Sequence, residues 1–461
     1  MMKDTKKILC HFSFYDQVKI QEKLEEMAEQ GWMVDKPGSF MWTFKRIEPQ
    51  KLRFSVTYFP GASEFDPGPT EGELTKLDFC ARDGWKLAMR WGVMQIFYHE
   101  DESAVPIETE PVAQVENVTK AMRKNVLFPH LVESAMLVWC IFLQLSMLRR
   151  DPVDYLSDTL KVYQIPVWGC LLLACLYEVG FYFWWTRKAR REAEENGYFL
   201  PIRTNIKSGY LLLLFSAWMM ILTFGSAANY LKFVLIWCGV MALISFAVNR
   251  LKGWLKKKGA RRWVNMTVSL GSVLLLTTLF MVALVAVIIG SDISLTEDSQ
   301  PVGSYEHNGM TRPIYDDPLP LVIEDLMEMD GKWSKEMDHQ ETGLLSYTEY
   351  DQRALWTEPR EVPNMSYSVT EIKAEFLRDY IRQAVLNSRQ DEVHGDFVLT
   401  DHYEPVDATV WGADEAYQVC FSDSLLNTYL LFWGDRIVEI KFYWEPTVEQ
   451  LARAAEILRQ G

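Results

Sequence analysis

Five apolar stretches of roughly membrane-spanning length follow one another in the middle third of this chain, at about residues 126–148, 165–185, 210–227, 231–248 and 264–290. A helix rises about 1.5 Å per residue, so about 20 apolar residues cross ~30 Å of hydrocarbon. A single such stretch fits a buried helix of a soluble domain. Five in succession, each flanked by charge, predict a transmembrane domain over residues 125–290. The third and fourth nearly abut, as a tight helical hairpin would.

Charge divides the chain in the same places. The whole chain carries 47 Lys+Arg and 62 Asp+Glu, a net charge of −15. By segment, residues 1–119 hold 14 basic and 20 acidic groups, residues 120–290 hold 20 and 8, and residues 291–461 hold 13 and 34, giving −6, +12 and −21. Of the basic groups that flank the five stretches, 16 lie on one side, in the runs around Lys120–Lys124, Arg187–Lys207 and Arg250–Arg262. The other side has Arg149, Arg150, Lys161 and Lys232. The bias predicts a multi-pass protein of the cell membrane with a cytoplasmic N-terminus and, after an odd number of spans, an extracytoplasmic C-terminus. Met1 to Cys10 is charged and lacks a long apolar core, so no cleavable signal peptide is expected. With 49% hydrophobic and 13% aromatic residues the chain is not disordered, and seven cysteines spread over its length make no disulfide scaffold. The acidity disfavours nucleic acid as a partner. The lipid bilayer is the expected surround, and a homo-oligomer is compatible with it.

Residues 1–100 read as one unit written twice. Lys23–Val34 aligns at an offset of 53 with Lys76–Leu87, and the offset carries Met41 onto Met94 and Phe44 onto Phe97. Each copy shows an alternating strand, a helix closed by Gly31 or Gly84, and two further strands, over 40–47 or 93–100 in the last case. The prediction is a duplicated β-α-β-β module with an α+β fold. Trp32 and Trp85 follow the capping glycines, where a tryptophan seals helix to sheet. Together with Trp42 they are also the candidate residues for binding a ligand or partner.

The Phe14-Tyr15-Asp16 run, the helix end Met27–Trp32, the strand Phe40–Phe44 and the later Asp83-Gly84-Trp85 resemble the domain of unknown function 2812 family, over residues 1 to roughly 110. The resemblance implies a bacterial, mostly Gram-positive, membrane protein with a cytoplasmic N-terminal module followed by membrane helices. It implies a PadR-like transcriptional regulator as the candidate protein partner. It carries over no catalytic residue.

Residues 101–124 read as an acidic, Pro-containing linker, extended and solvated at least to 119, and 291–320 as a polar tether. Residues 321–461 are expected to form an extracytoplasmic α+β domain. Its elements are an amphipathic helix at 319–329, strands near 344–350 and 366–372, and a helix at 373–387. A hairpin turning at Gly434-Asp435 and a final helix at 448–459 capped by Thr447 complete it. The fold class is therefore a multi-domain membrane protein: an α+β module, five membrane helices and a second α+β domain.

No GxSxG, HExxH, P-loop or dinucleotide glycine pattern occurs, so no enzyme activity and no cofactor are expected. His394-Gly395-Asp396 and Asp401–Glu404 place histidine among carboxylates, as chance also does in so acidic a segment, and no metal is expected there. Within the apolar stretches, Glu133 and Glu178 lie about level with each other, with His130 one turn from Glu133. They form a candidate intramembrane polar site. The sequence thus favours a non-enzymatic sensor or regulatory protein, with a transporter component built on the carboxylate pair as the alternative.

Overall fold

A computed structural model describes residues 4–9, 15–38, 41–202, 228–290, 301–359, 361–389, 392–394, 397–399 and 401–460. The chain divides into two compact units, Met1–Trp139 with Trp168–Asp292, and Cys140–Val167 with Ile293–Gly461.

In the first unit, β1 (Thr5–Leu9), α1 (Gln17–Glu29), β2 (Trp32–Lys36) and β3 (Met41–Arg46) precede β4 (Arg53–Tyr58), α2 (Glu71–Arg82), β5 (Lys86–Trp91) and β6 (Met94–His99). Each half forms an antiparallel three-stranded sheet with its last strand in the middle, β1-β3-β2 and β4-β6-β5. Both helices end one residue before a capping position, and Gly31 and Gly84 then take φ of +83°, a conformation that side chains with a Cβ disfavour.

The halves differ in burial. Ile20, Leu24 and Met27 of α1 enter one core with Trp42, Phe44, Phe54, Tyr58 and Ile96, drawn from both sheets. Helix α2 buries only Glu73 and Cys80. Glu73 is fully buried and satisfied: it closes a capping box with Thr70, pairs with Arg90 at 3.0 Å and accepts from Gln95 Nε2 at 3.2 Å.

Residues 111–122, expected inside an extended linker, form the helix α3 (Pro111–Met122). Proline begins it, and Val115, Val118 and Met122 turn one apolar stripe into the module core while Glu116 and Lys120 pair on the outside. A π-helical turn over Arg123–Leu127 leads into α4 (Phe128–Arg150), so that Pro111–Arg150 is one helix of 40 residues. After α5 (Pro152–Ser157) comes α6 (Thr159–Asn196), 38 residues long. The end of α6 returns to the module: Tyr182, Trp185, Ala189 and Ala193 belong to its core.

Among the described residues, three helices are long and apolar enough to cross a membrane: Pro111–Arg150, Thr159–Asn196 and Arg262–Ala283. They carry the first, second and fifth expected spans. The fourth falls on α7 (Ala228–Lys257), which packs against α8 (Arg262–Gly290). The third, 210–227, lies outside the described residues.

In the second unit, β7 (Gly303–His307) and β8 (Met310–Ile314) form a hairpin where a tether was expected, turning through Asn308 and Gly309, both at positive φ. The helix expected at 319–329 is instead a single 3-10 turn, Ile323–Asp325. Pro318 and Pro320 supply no amide hydrogen, and side chains of the sheet bind the amides that follow. Leu321 N donates to the Tyr367 hydroxyl (2.9 Å) and Ile323 N to Gln352 Oε1 (2.8 Å).

Then follow β9 (Trp333–Glu341), β10 (Leu345–Ala354), β11 (Met365–Ile372), α9 (Arg378–Leu386), β12 (Glu392–His394), β13 (Phe397–Leu399), β14 (Asp401–Val406), β15 (Glu415–Phe421), β16 (Ser424–Trp433), β17 (Arg436–Phe442) and α10 (Val448–Gln460). Seven of these strands make one antiparallel sheet, β14-β15-β16-β17-β11-β10-β9. Its two faces are both buried, as strand alternation allows. Leu431, Val438 and Ile440 pack with Ala454, Ala455 and Leu458 of α10 on one face. Leu430, Phe432 and Ile437 pack with Ile381 of α9 and with Tyr155 and Leu156 of α5 on the other. The loop between the first two long helices is thus part of this domain: Thr342 Oγ1 donates to Leu156 O (2.6 Å) and Thr159 Oγ1 to Glu341 O (3.0 Å).

Candidate functional site

The residues connecting β4 to α2, 59–70, outnumber their counterparts 10–16 by five. This longer loop is held by three helices. Lys124, in the π turn, donates to Ala62 O (3.5 Å), Lys252 of α7 pairs with Glu64 (3.1 Å), and Asn265 of α8 donates to Phe65 O (3.1 Å). Arg262 reaches both Gly61 O (3.3 Å) and Asp66 (3.9 Å).

Beside the loop lies a cavity of about 650 Å³, within the usual range for small-molecule sites. Its aromatic wall is Tyr15, Trp42, Phe65 and Trp91, and its cationic edge is Lys124 and Arg262. Trp42 is buried and meets Trp91 edge to face, ring centroids 6.2 Å apart. The Tyr15 hydroxyl donates to Ala121 O (3.2 Å), which fixes the module against α3, and burial holds that hydroxyl far above the usual tyrosine range.

The three candidate tryptophans do not converge. Trp42 lines this cavity. Trp85 is buried elsewhere, its Nε1 donating to Val105 O (3.2 Å), in a small cluster with Cys80 and Phe97 and at the edge of a second cavity of about 840 Å³. Trp32 is half-buried and covered by the Lys6 and Arg46 cations, each 5.6 Å from its ring. Lys124 and Arg262 were visible in the sequence only as topogenic charges. The extra length of the 59–70 loop is not read from the sequence, where one offset of 53 relates the two copies.

The intramembrane candidates are drawn together with a residue the sequence did not single out. His130 Nδ1 lies 3.0 Å from Glu133 Oε2, and Cys175 Sγ of α6 lies 3.6 Å from the same oxygen. Glu178 is one turn beyond Cys175 on the same helix. In the C-terminal sheet, strand alternation splits the Asp401–Glu404 run. Asp401 pairs with Arg389 (3.1 Å), which also holds Glu439, and the Tyr403 hydroxyl donates to Glu439 (3.0 Å). His402 and Glu404 form a cluster with Cys420, the residue opposite His402 on β15, their donor atoms all within 4.8 Å of one another. The side chains of 394–396 lie outside the described residues.

No curated protein and no solved structure matches the chain. Residues 16–129 match the family described as Protein of unknown function (DUF2812). The match covers Trp42, Phe65, Trp91, Lys124 and Pro129 of the cavity wall and the part of the module core that lies within residues 16–129. The match spans 114 of the 461 residues, and over that part, the N-terminal module and the start of the first long helix, the chain is similar to the domain of unknown function 2812 family.

Proposed function

We propose that this is a multi-pass membrane protein of non-enzymatic, sensing or regulatory type, whose duplicated cytoplasmic module binds an anionic amphiphile at the membrane mouth. One observation carries the reading: the cavity wall is shared. Trp42, Phe65 and Trp91 come from the module, while Lys124, Arg262 and Met266 come from the long helices, so an occupant touches both. Aromatic faces beside two cations suit a flat or chain-like apolar body ending in a negative group. The 16-to-4 charge bias supports a cytoplasmic N-terminus. The packing of α5 on the C-terminal sheet supports placing that loop and the C-terminal domain on the same, opposite side. A regulator of PadR type and a second copy of the chain are the partners this reading favours.

The test titrates the full-length protein in micelles with an anionic naphthalene sulfonate and, separately, with a cationic dye of similar size, following tryptophan fluorescence. The anionic probe binds, and Arg262→Ala with Lys124→Ala weakens it about 10-fold, the loss of roughly 1.4 kcal/mol. Equal binding of both probes, or of wild type and variant, overturns the reading.

A further inference from the structure

We propose that His130, Glu133 and Cys175, with Glu178 one turn from Cys175 on the same helix, form a binding site for a divalent cation of the zinc class, independent of the amphiphile cavity. The three donor atoms converge: Nδ1 to Oε2 is 3.0 Å, Sγ to Oε2 is 3.6 Å, and all lie within 4.8 Å of one another. A tetrahedral cation with bonds of about 2.0–2.3 Å sets its ligands roughly 3.3–3.8 Å apart, so small side-chain adjustments suffice.

The scaffold repeats one device on two helices. His130 and Glu133 stand at i and i+3 on α4, and Cys175 and Glu178 at i and i+3 on α6, so each helix offers two donors on one face. Nitrogen, sulfur and carboxylate oxygen together select a borderline cation over calcium or magnesium, which prefer all-oxygen shells. Cys175 is buried, while Glu133 lies on an outer face of its helix. On binding, the Cys175 thiol releases its proton to water and its sulfur takes the cation. A dication also offsets two carboxylates in an apolar stretch, where uncompensated charge is costly.

The experiment titrates cobalt(II), as a spectroscopic stand-in for zinc, into the full-length reduced protein in micelles and reads the thiolate-to-metal charge-transfer band. The other described trio, His402, Glu404 and Cys420, is the internal control. The band appears in the wild type and in Cys420→Ser, disappears in Cys175→Ser, and needs at least about 10-fold more cobalt in Glu133→Gln. Zinc added afterwards bleaches it. Each variant is first matched to the wild type by gel filtration and tryptophan emission, and Glu133→Gln, nearly isosteric and at an exposed position, serves if Cys175→Ser misfolds. A band that survives Cys175→Ser, one lost only in Cys420→Ser, one unmoved by Glu133→Gln, or no band at all overturns the proposal.

Discussion

Lys252 Nζ lies 3.1 Å from Glu64 Oε2, an ion pair between residues 188 positions apart in the chain. Among the contacts that hold the 59–70 loop it is more exposed than that of Asn265, which is fully buried with its amide on Phe65 O.

The two contacts are therefore unequal. Losing a half-exposed ion pair costs about 0–1 kcal/mol, whereas removing the Asn265 amide strands a carbonyl and costs about 1–3 kcal/mol. Asn265→Ala is expected to speed hydrogen exchange of the loop amides roughly 5-fold or more, and Lys252→Ala to change it little. Equal exchange in the two variants would show that the loop is not held from this side.

Trp85 and Trp32, alike in sequence context, should respond differently to truncation. Trp85 is buried and bonded to Val105 O, so Trp85→Ala is expected to cost about 3–5 kcal/mol. Trp32 is half-buried under two cations, and Trp32→Ala should cost about 1–2 kcal/mol. Denaturant unfolding of the full chain in micelles measures both. A larger loss from Trp32 contradicts the packing described.

The two capping glycines share one φ but not one environment. A Cβ at Gly31 would stand 3.0 Å from Ile47 O, while one at Gly84 would stand closer still to Nε2 of His99, whose ring accepts from Asp101 N (2.9 Å) and packs on Trp85. Both changes to alanine carry the left-handed penalty of about 1–2 kcal/mol. Gly84→Ala should add the loss of those His99 contacts and melt below Gly31→Ala. The reverse order would place the tighter joint in the first half.

Burial pushes the Glu108 carboxyl above its usual range, against the opposing pull of Lys76 and Asn117. As pH rises past about 4.5, the unfolded chain ionises this group before the folded one does, so the folded state loses stability until the raised folded value is passed. Below that window both forms are protonated and nothing is lost. Glu108→Gln removes the effect. Its stability relative to wild type is expected to climb from about pH 4.5 upward and then level off. A difference that stays constant from acid to neutral pH rules this account out.

Local chemistry was legible and tertiary meetings were not. The turn at Gly434-Asp435 stands between β16 and β17 where the sequence places it. Thr447 caps α10 as expected, accepting from Gln450 N (3.3 Å) while Gln450 returns the bond. Helix α3 was legible too, since Val115, Val118 and Met122 keep helical spacing, but Pro106, Pro111 and the acids around them outweighed it. The 3-10 turn at Ile323 was not, because the side chains that claim its amides belong to strands 29 and 46 residues away. The same holds for Cys175, which reaches Glu133 across 42 residues of chain. Trp42 lines the cavity and Trp85 packs with Cys80 and Phe97, and the repeat alignment says nothing of this, since it pairs Trp85 with Trp32 rather than with Trp42.

Helix α6, at about 57 Å, is nearly twice the ~30 Å of a hydrocarbon core. Its surplus is not a tail: Tyr182, Trp185, Ala189 and Ala193 are core residues of the module. The protein has no soft joint at this point. A rotation of about 10° in the apolar part of α6 would carry a point 20 Å further along it by roughly 3.5 Å, and the module core would have to travel with it or break. The helix behaves as an axle rather than a leash.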